Sequence, residues 1–154
     1  MFAKLFSRDE PDSAGSDVDE RESLAYAAAM LLFEVAWADH EITPEELLRI
    51  DASLQSLFGV TQGTAQRLAE RARIEHVEAT SMYPFTREVK DALDADERYK
   101  LMVALWQLAL ADEDLGTYEE SAIRSIAELL YVSHRNFISA KLEAKRLQGS
   151  SSSR

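Results

Sequence analysis

Two stretches of this chain are apolar on nearly every side of a helix. One is Leu24 to Ala38, charged only at Glu34; the other is Leu101 to Ala111, interrupted only by Gln107. A helix that is apolar all round belongs at the centre of a fold, with neighbours on every side. Elsewhere the pattern narrows to single apolar stripes at helical spacing. Leu47, Ile50, Leu54, Leu57 and Phe58 form one stripe, between Thr43-Pro44-Glu45-Glu46 and Gly59. Threonine caps that helix, proline takes its first position, Glu46 closes a capping box and the glycine ends it. Thr61 caps a third helix, to about Ile74, with Ala65, Leu68 and Ala72 inward. Pro84 starts a fourth, with Phe85, Val89 and Leu93 at helical spacing, and Asp94-Ala95-Asp96-Glu97 is a second capping box that opens the fifth. Thr117 to Tyr131 reads as the sixth, and Ser133 caps a seventh with Phe137, Ile138 and Leu142 inward. No segment alternates as a half-buried strand does. The pattern predicts an all-α, single-domain bundle of about seven helices, with the first and fifth near its centre.

The two apolar helices each run into an acidic turn. The first reads Ala38-Asp39-His40-Glu41-Ile42-Thr43-Pro44-Glu45-Glu46, the second Ala111-Asp112-Glu113-Asp114-Leu115-Gly116-Thr117-Tyr118-Glu119-Glu120. A shift of 73 carries Asp39 to Asp112, Glu41 to Asp114, Ile42 to Leu115, Glu46 to Glu119, Ile50 to Ile123 and Leu57 to Leu130. The repeat predicts two related helical hairpins packed about a pseudo-twofold axis.

Composition then sets the boundaries. A chain of 154 residues is one ordinary domain with room for a full core. Ser7 to Asp19 is polar and acidic around Pro11 and Gly15, behind an apolar Met1 to Phe6 too short for a stable lone helix, so 1–18 read as a disordered segment; 19–147 hold the helices, and the serine-rich 148–154 read as a flexible tail. A net charge of −11 argues against nucleic acid or anionic lipid as a partner, since both need a basic surface. The chain has no cysteine, which excludes disulfides and thiolate chemistry. The apolar runs fall short of the roughly 20 residues that span a bilayer, and the first residues lack the form of a secretory signal. The reading is a cytoplasmic protein without a transmembrane segment.

The turns set out oxygen ligands at short spacing. A hard divalent cation takes six to eight oxygens at roughly 2.3–2.6 Å. Asp39 with Glu41, or Asp112 with Asp114, followed by Glu46 or Glu119 seven residues after the first aspartate, supplies several of them. Each turn is shorter than an EF-hand loop and lacks its sixth-position glycine. Capping accounts for the same residues. Acids at a helix N-terminus are favoured by about 0.3–1 kcal/mol each, and Thr43 with Glu46 and Thr117 with Glu120 read as capping boxes. Duplication does not separate the two readings, because a duplicated hairpin duplicates its caps.

The remaining signals are structural or diffuse. His40 reads as a solvated loop residue, and Trp37 and Trp106 as core. Glu34 and Gln107 either meet across the twofold or lie on a narrow exposed stripe. The charge is uneven: the turns are acidic, while Lys141, Lys145, Arg146 and Arg154 make one basic stretch and Arg67, Arg71 and Arg73 a second on the third helix. They are solvated helix faces, or a bipolar surface suited to protein docking and self-association. There is no phosphate-binding glycine loop, no zinc spacing and no nucleophile–base pair, so an enzyme is not expected.

Phe33-Glu34-Val35-Ala36-Trp37-Ala38-Asp39-x-Glu41-Ile42-x-x-x-Glu46 resembles the TerB-like tellurite-resistance family. So do Leu105-Trp106-Gln107-Leu108-Ala109-Leu110-Ala111-Asp112-x-Asp114-Leu115-x-x-x-Glu119 and the Phe85-Thr86 pair. The resemblance covers about Glu20 to Leu147. It implies a compact helical bundle with a metal site at the acidic motifs, at Asp39, Glu41, Glu46, Asp112, Asp114 and Glu119, with Ca²⁺ or Mg²⁺ the fitting ions. It also implies protein partners in stress-response complexes, sometimes near the membrane. The family usually has glycine straight after the aspartate, where this chain has His40 and Glu113. Three functions follow in order: a non-enzymatic TerB-like binding protein holding a cation, a protein-interaction scaffold whose acids only cap helices, and, distantly, a metal-assisted hydrolase.

Overall fold

The first all-round apolar stretch becomes the second half of helix α1 (Ser13–Ala36), and the other becomes α5 (Ala95–Ala109). The computed structural model describes residues 13–39, 41–111 and 117–152. A 3₁₀ turn, Trp37–Asp39, follows α1; then come α2 (Pro44–Phe58), α3 (Gln62–His76), α4 (Tyr83–Ala92), α5, α6 (Thr117–Leu129) and α7 (His134–Ser152). The described residues thus form seven α-helices and no strand.

α1 packs against α2, α3, α4, α5 and α6, and α5 packs against α1, α2, α6 and α7. That places the two most apolar helices at the centre, as their sequences require. Along α1, Leu24, Ala25, Ala27 to Phe33, Val35 and Ala36 are all buried, and along α5 so are Leu101, Met102, Ala104 to Trp106, Leu108 and Ala109. Ile50, Leu54 and Phe58 from α2, Ala65, Leu68 and Ala72 from α3, Val89 from α4, and Ile123, Ile126 and Ala127 from α6 close the core around them.

The helix boundaries follow local chemistry. Thr43 Oγ1 accepts from Glu46 N at 3.1 Å while Glu46 Oε1 accepts from Thr43 N at 2.8 Å. Asp94 and Glu97 make the same reciprocal pair at 2.8 and 2.9 Å. α2 ends on Gly59 at φ 67°, a left-handed conformation that costs glycine nothing. Ser133 Oγ accepts from Asn136 N at 3.1 Å at the head of α7.

Three expectations need correction. Trp37 is 37% exposed: α1 stops at Ala36, so helical spacing no longer governs the next side chain. On α7 the buried face is Phe137, Ala140 and Ala144, while Ile138 and Leu142 are exposed. The smaller alanines face the core because α7 lies close against α5. α1 begins at Ser13 and α7 runs to Ser152, both beyond the boundaries drawn from composition at 19 and 147. Extending a helix already held by buried residues costs little once its nucleus exists. Residues 1–12 and 153–154 lie outside the described residues.

The basic stretch on α3 is matched by acids. Arg67 pairs with Glu22 at 2.7 Å, Arg71 with Glu75 at 3.3 Å and Arg73 with Glu70 at 2.6 Å. These exposed pairs contribute little stability each, but they remove α3 as an open cationic face. The Tyr26 hydroxyl donates to Glu75, and the Arg71 guanidinium lies 4.0 Å from the Tyr26 ring centroid. Burial first, and the Glu75 bond second, push the Tyr26 phenol up from 10.0 to about 12. The folded state therefore keeps a proton that the unfolded state releases near pH 10. The contribution is complete below that pH and is lost as pH rises towards about 12. Ultraviolet titration should show a phenolate step near pH 12 that is missing from Tyr26→Phe.

Candidate functional site: the two acidic turns

The first acidic turn is held from both sides. α1 ends at Ala36, the chain closes a single 3₁₀ turn through Asp39, and the Thr43–Glu46 box starts α2. The second turn leaves α5 at Ala109; Leu110 N donates to Trp106 O at 2.8 Å and Ala111 N to Leu108 O at 3.3 Å. The Gln148 amide on α7 donates to Leu110 O, tying the end of the last helix to this turn. α6 then starts at Thr117. The helix ends Ala36 and Ala109 and the helix starts Pro44 and Thr117 are both 73 residues apart.

Glu46 and Glu119 occupy the third position of α2 and α6, and each is only 1% exposed. Burying a carboxylate is costly unless it is compensated. For Glu46, the Thr43 amide at 2.8 Å and the positive end of α2 supply part of that compensation. Glu120, expected to box with Thr117, is the fourth residue of α6 and turns outward. It meets Arg124 at 3.4 Å and Lys141 at 3.5 Å. The helix starts one residue earlier than a Thr117 cap requires, so Glu119 takes the place that Glu46 has in α2.

Of the six residues singled out in the sequence, the structure therefore buries Glu46 and Glu119, and leaves Glu41 exposed. The Asp39 backbone closes the 3₁₀ turn; its side chain, together with Asp112 and Asp114, lies outside the described residues. The 3₁₀ turn packs against α6, so the first turn adjoins the helix that carries Glu119. Among the described residues, no group of three or more His, Asp or Glu side chains is close enough to hold a metal ion. In kind, the set fits a hard cation: its donors are all carboxylate oxygens, two of them on buried glutamates.

The other polar candidates go elsewhere. Glu34 meets His76 Nε2 at 2.7 Å, across to α3, and Gln107 lines a groove between α2 and α5. Beside the first turn is a cleft of about 300 Å³, lined by Phe33, Trp37, Ile42, Leu47, Arg73, His76 and Val77. It is mainly apolar, and among the described residues its lining includes none of Glu41, Glu46 and Glu119. The sequence offered no sign of this cleft, because it forms where α3 ends against the 3₁₀ turn. No described helix is long and apolar enough to cross a membrane.

The fold and the turns define a class, an all-α bundle in which two central helices each lead through an acidic turn into an amphipathic helix. The chain belongs to the family described as tellurite resistance protein TerB, whose sequence model matches residues 25–142. The match covers both acidic turns and all the helices from mid-α1 to mid-α7. No curated protein and no solved structure matches the chain.

Proposed function

We propose that this TerB-family protein is a non-catalytic binding protein of a stress response, and that it holds one divalent cation, Ca²⁺ or Mg²⁺, at its two acidic turns. The observation that carries the reading is the matched pair of buried glutamates, Glu46 and Glu119, each three positions into the helix that follows a turn. Packing of the 3₁₀ turn against α6 supports it further. The residues that would hold the ion are Asp39, Glu41, Glu46, Asp112, Asp114 and Glu119. The ion would neutralise charge there and tie the α1–α2 hairpin to the α5–α6 hairpin. Partners would then be other proteins, met in the cytoplasm or at a membrane surface through a membrane-bound partner. The hydrolase reading has less to carry it: of the turn carboxylates among the described residues, Glu41, Glu46 and Glu119, none lines either groove.

The scaffold reading keeps one specific observation in its favour. Glu97 is also buried at the third position of a helix, α5, and there the Asp94 box accounts for it, with Lys90 rather than an aspartate seven residues before it. A buried glutamate at that position can thus be a cap alone. Calorimetric titration of Ca²⁺, Mg²⁺, Mn²⁺ and Zn²⁺ into chelator-treated protein separates the two. The cation reading expects a saturable isotherm for at least one hard ion. The scaffold reading expects only the small heat that sodium chloride gives at equal ionic strength.

A further inference from the structure

A groove of about 830 Å³ runs between α2 and α5, bounded at one side by Glu143 of α7, and among the described residues its lining includes none of Glu41, Glu46 and Glu119. Most of its charged side chains already have partners. Lys100 meets Asp96 at 3.7 Å and Glu143 meets Arg146. The Tyr99 hydroxyl lies 3.1 Å from Ser139 Oγ. Two charges of opposite sign are left over. Arg49, half-buried on α2, has no ion-pair or hydrogen-bond partner among the described residues. Glu97, 3% exposed, uses Oε1 to accept from Asp94 N at 2.9 Å, but its buried Oε2 has no hydrogen-bond partner.

A buried acceptor left without a donor costs about 1–3 kcal/mol, more if it is charged. Glu97 therefore gains when a donor, above all a cationic one, enters the groove wall beside it. Lys100 lies three residues on and so on the same helix face. It is exposed and held only by Asp96, so it can swing aside to admit that donor. Ala52, Leu57, Val103 and Ala104 give the same groove its apolar wall, and Ser53, Ser56 and Gln107 add uncharged polar groups. Concave sites that bind small molecules have this composition, an apolar lining with a few fixed polar groups.

We propose that the α2–α5 groove binds a small zwitterion of the amino-acid class, its ammonium on Glu97, its anionic group on Arg49 and its carbon chain along the apolar wall. This site is independent of the cation at the turns. It is tested on the full chain in chelator, by calorimetric titration with glycine, γ-aminobutyrate and ε-aminocaproate, which differ in the distance between their charges. Butylamine and butyrate supply each charge alone. The expected result is saturable one-to-one binding of at least one zwitterion, with the single-charge probes at least about tenfold weaker. Arg49→Gln and Glu97→Gln should each weaken that binding by about tenfold or more, the loss of one charge-assisted contact. Glu97→Gln disturbs a helix cap, so Arg49→Gln, at a half-exposed position outside any cap, carries the test if the other variant unfolds. Absence of saturable binding by all three zwitterions, or binding unchanged in Arg49→Gln, overturns the proposal.

Discussion

Trp106→Ala should cost about 3–5 kcal/mol of folding stability, the range for removing a large aromatic from a core. The indole is fully buried in the last turn of α5. Its Nε1 donates to Phe137 O at 3.2 Å, and its ring meets the Phe137 ring edge-on with centroids 5.2 Å apart. The substitution therefore leaves a cavity between the central helix and α7 and strips the Phe137 carbonyl of this donor. A domain of this kind has about 5–15 kcal/mol in total, so the variant should lie near the edge of folding. Trp37→Ala should cost much less, because that ring is 37% exposed beside the 3₁₀ turn. Urea denaturation of the two variants measures both. Equal losses would mean that α5 is not the centre of the bundle.

The second large effect concerns the turns. Several carboxylates gathered at one end of a bundle repel each other and weaken the metal-free fold. A cation that binds only the folded protein adds RT ln(1 + [L]/Kd), about 2.7 kcal/mol at a hundredfold excess over Kd. For a domain of this size that is a rise in Tm of about 5–10 °C. Asp39→Asn combined with Asp112→Asn should abolish the rise, and should leave the metal-free protein as stable as wild type or more so. Thermal melts of both proteins, with and without Mg²⁺ or Ca²⁺ and against sodium chloride of equal ionic strength, read this out. Identical responses would leave the acids as helix caps.

The bundle was legible because its signals agree across levels. Leu24 to Ala36 and Leu101 to Ala109 are apolar on nearly every side, and all of their residues but Tyr26, Glu34, Val103 and Gln107 are buried. Thr43-Pro44-Glu45-Glu46 and Asp94-Ala95-Asp96-Glu97 are start signals that depend on bonds within one helical turn, and both boxes form. What failed to show depends on how elements meet. The periodicity that made Trp37 look like core ends with α1. Ile138 and Leu142 have the hydrophobicity of a core face, but the close approach of α5 selects the Ala140 and Ala144 face instead. The boxes themselves marked Glu46 and Glu97 as caps, yet nothing local says that these carboxylates, or Glu119, end up shielded from water. That burial comes from the packing of other helices over the first turn. The α2–α5 groove is likewise a product of packing, since Arg49 and Glu97 are 48 positions apart in the chain.

The central claim is that the two turns form one cation site, and paramagnetic broadening by Mn²⁺ tests it most directly. Substoichiometric Mn²⁺ is added to isotope-labelled protein, and the amide resonances that disappear first are assigned. If the turns hold one ion, the amides around Ala38 to Glu46 and those around Ala111 to Glu119 should broaden together, at the same Mn²⁺ concentration, and excess Mg²⁺ or Ca²⁺ should restore both. Broadening of one turn without the other, or spread evenly over exposed acids such as Glu70 and Glu75 on α3, would contradict the account.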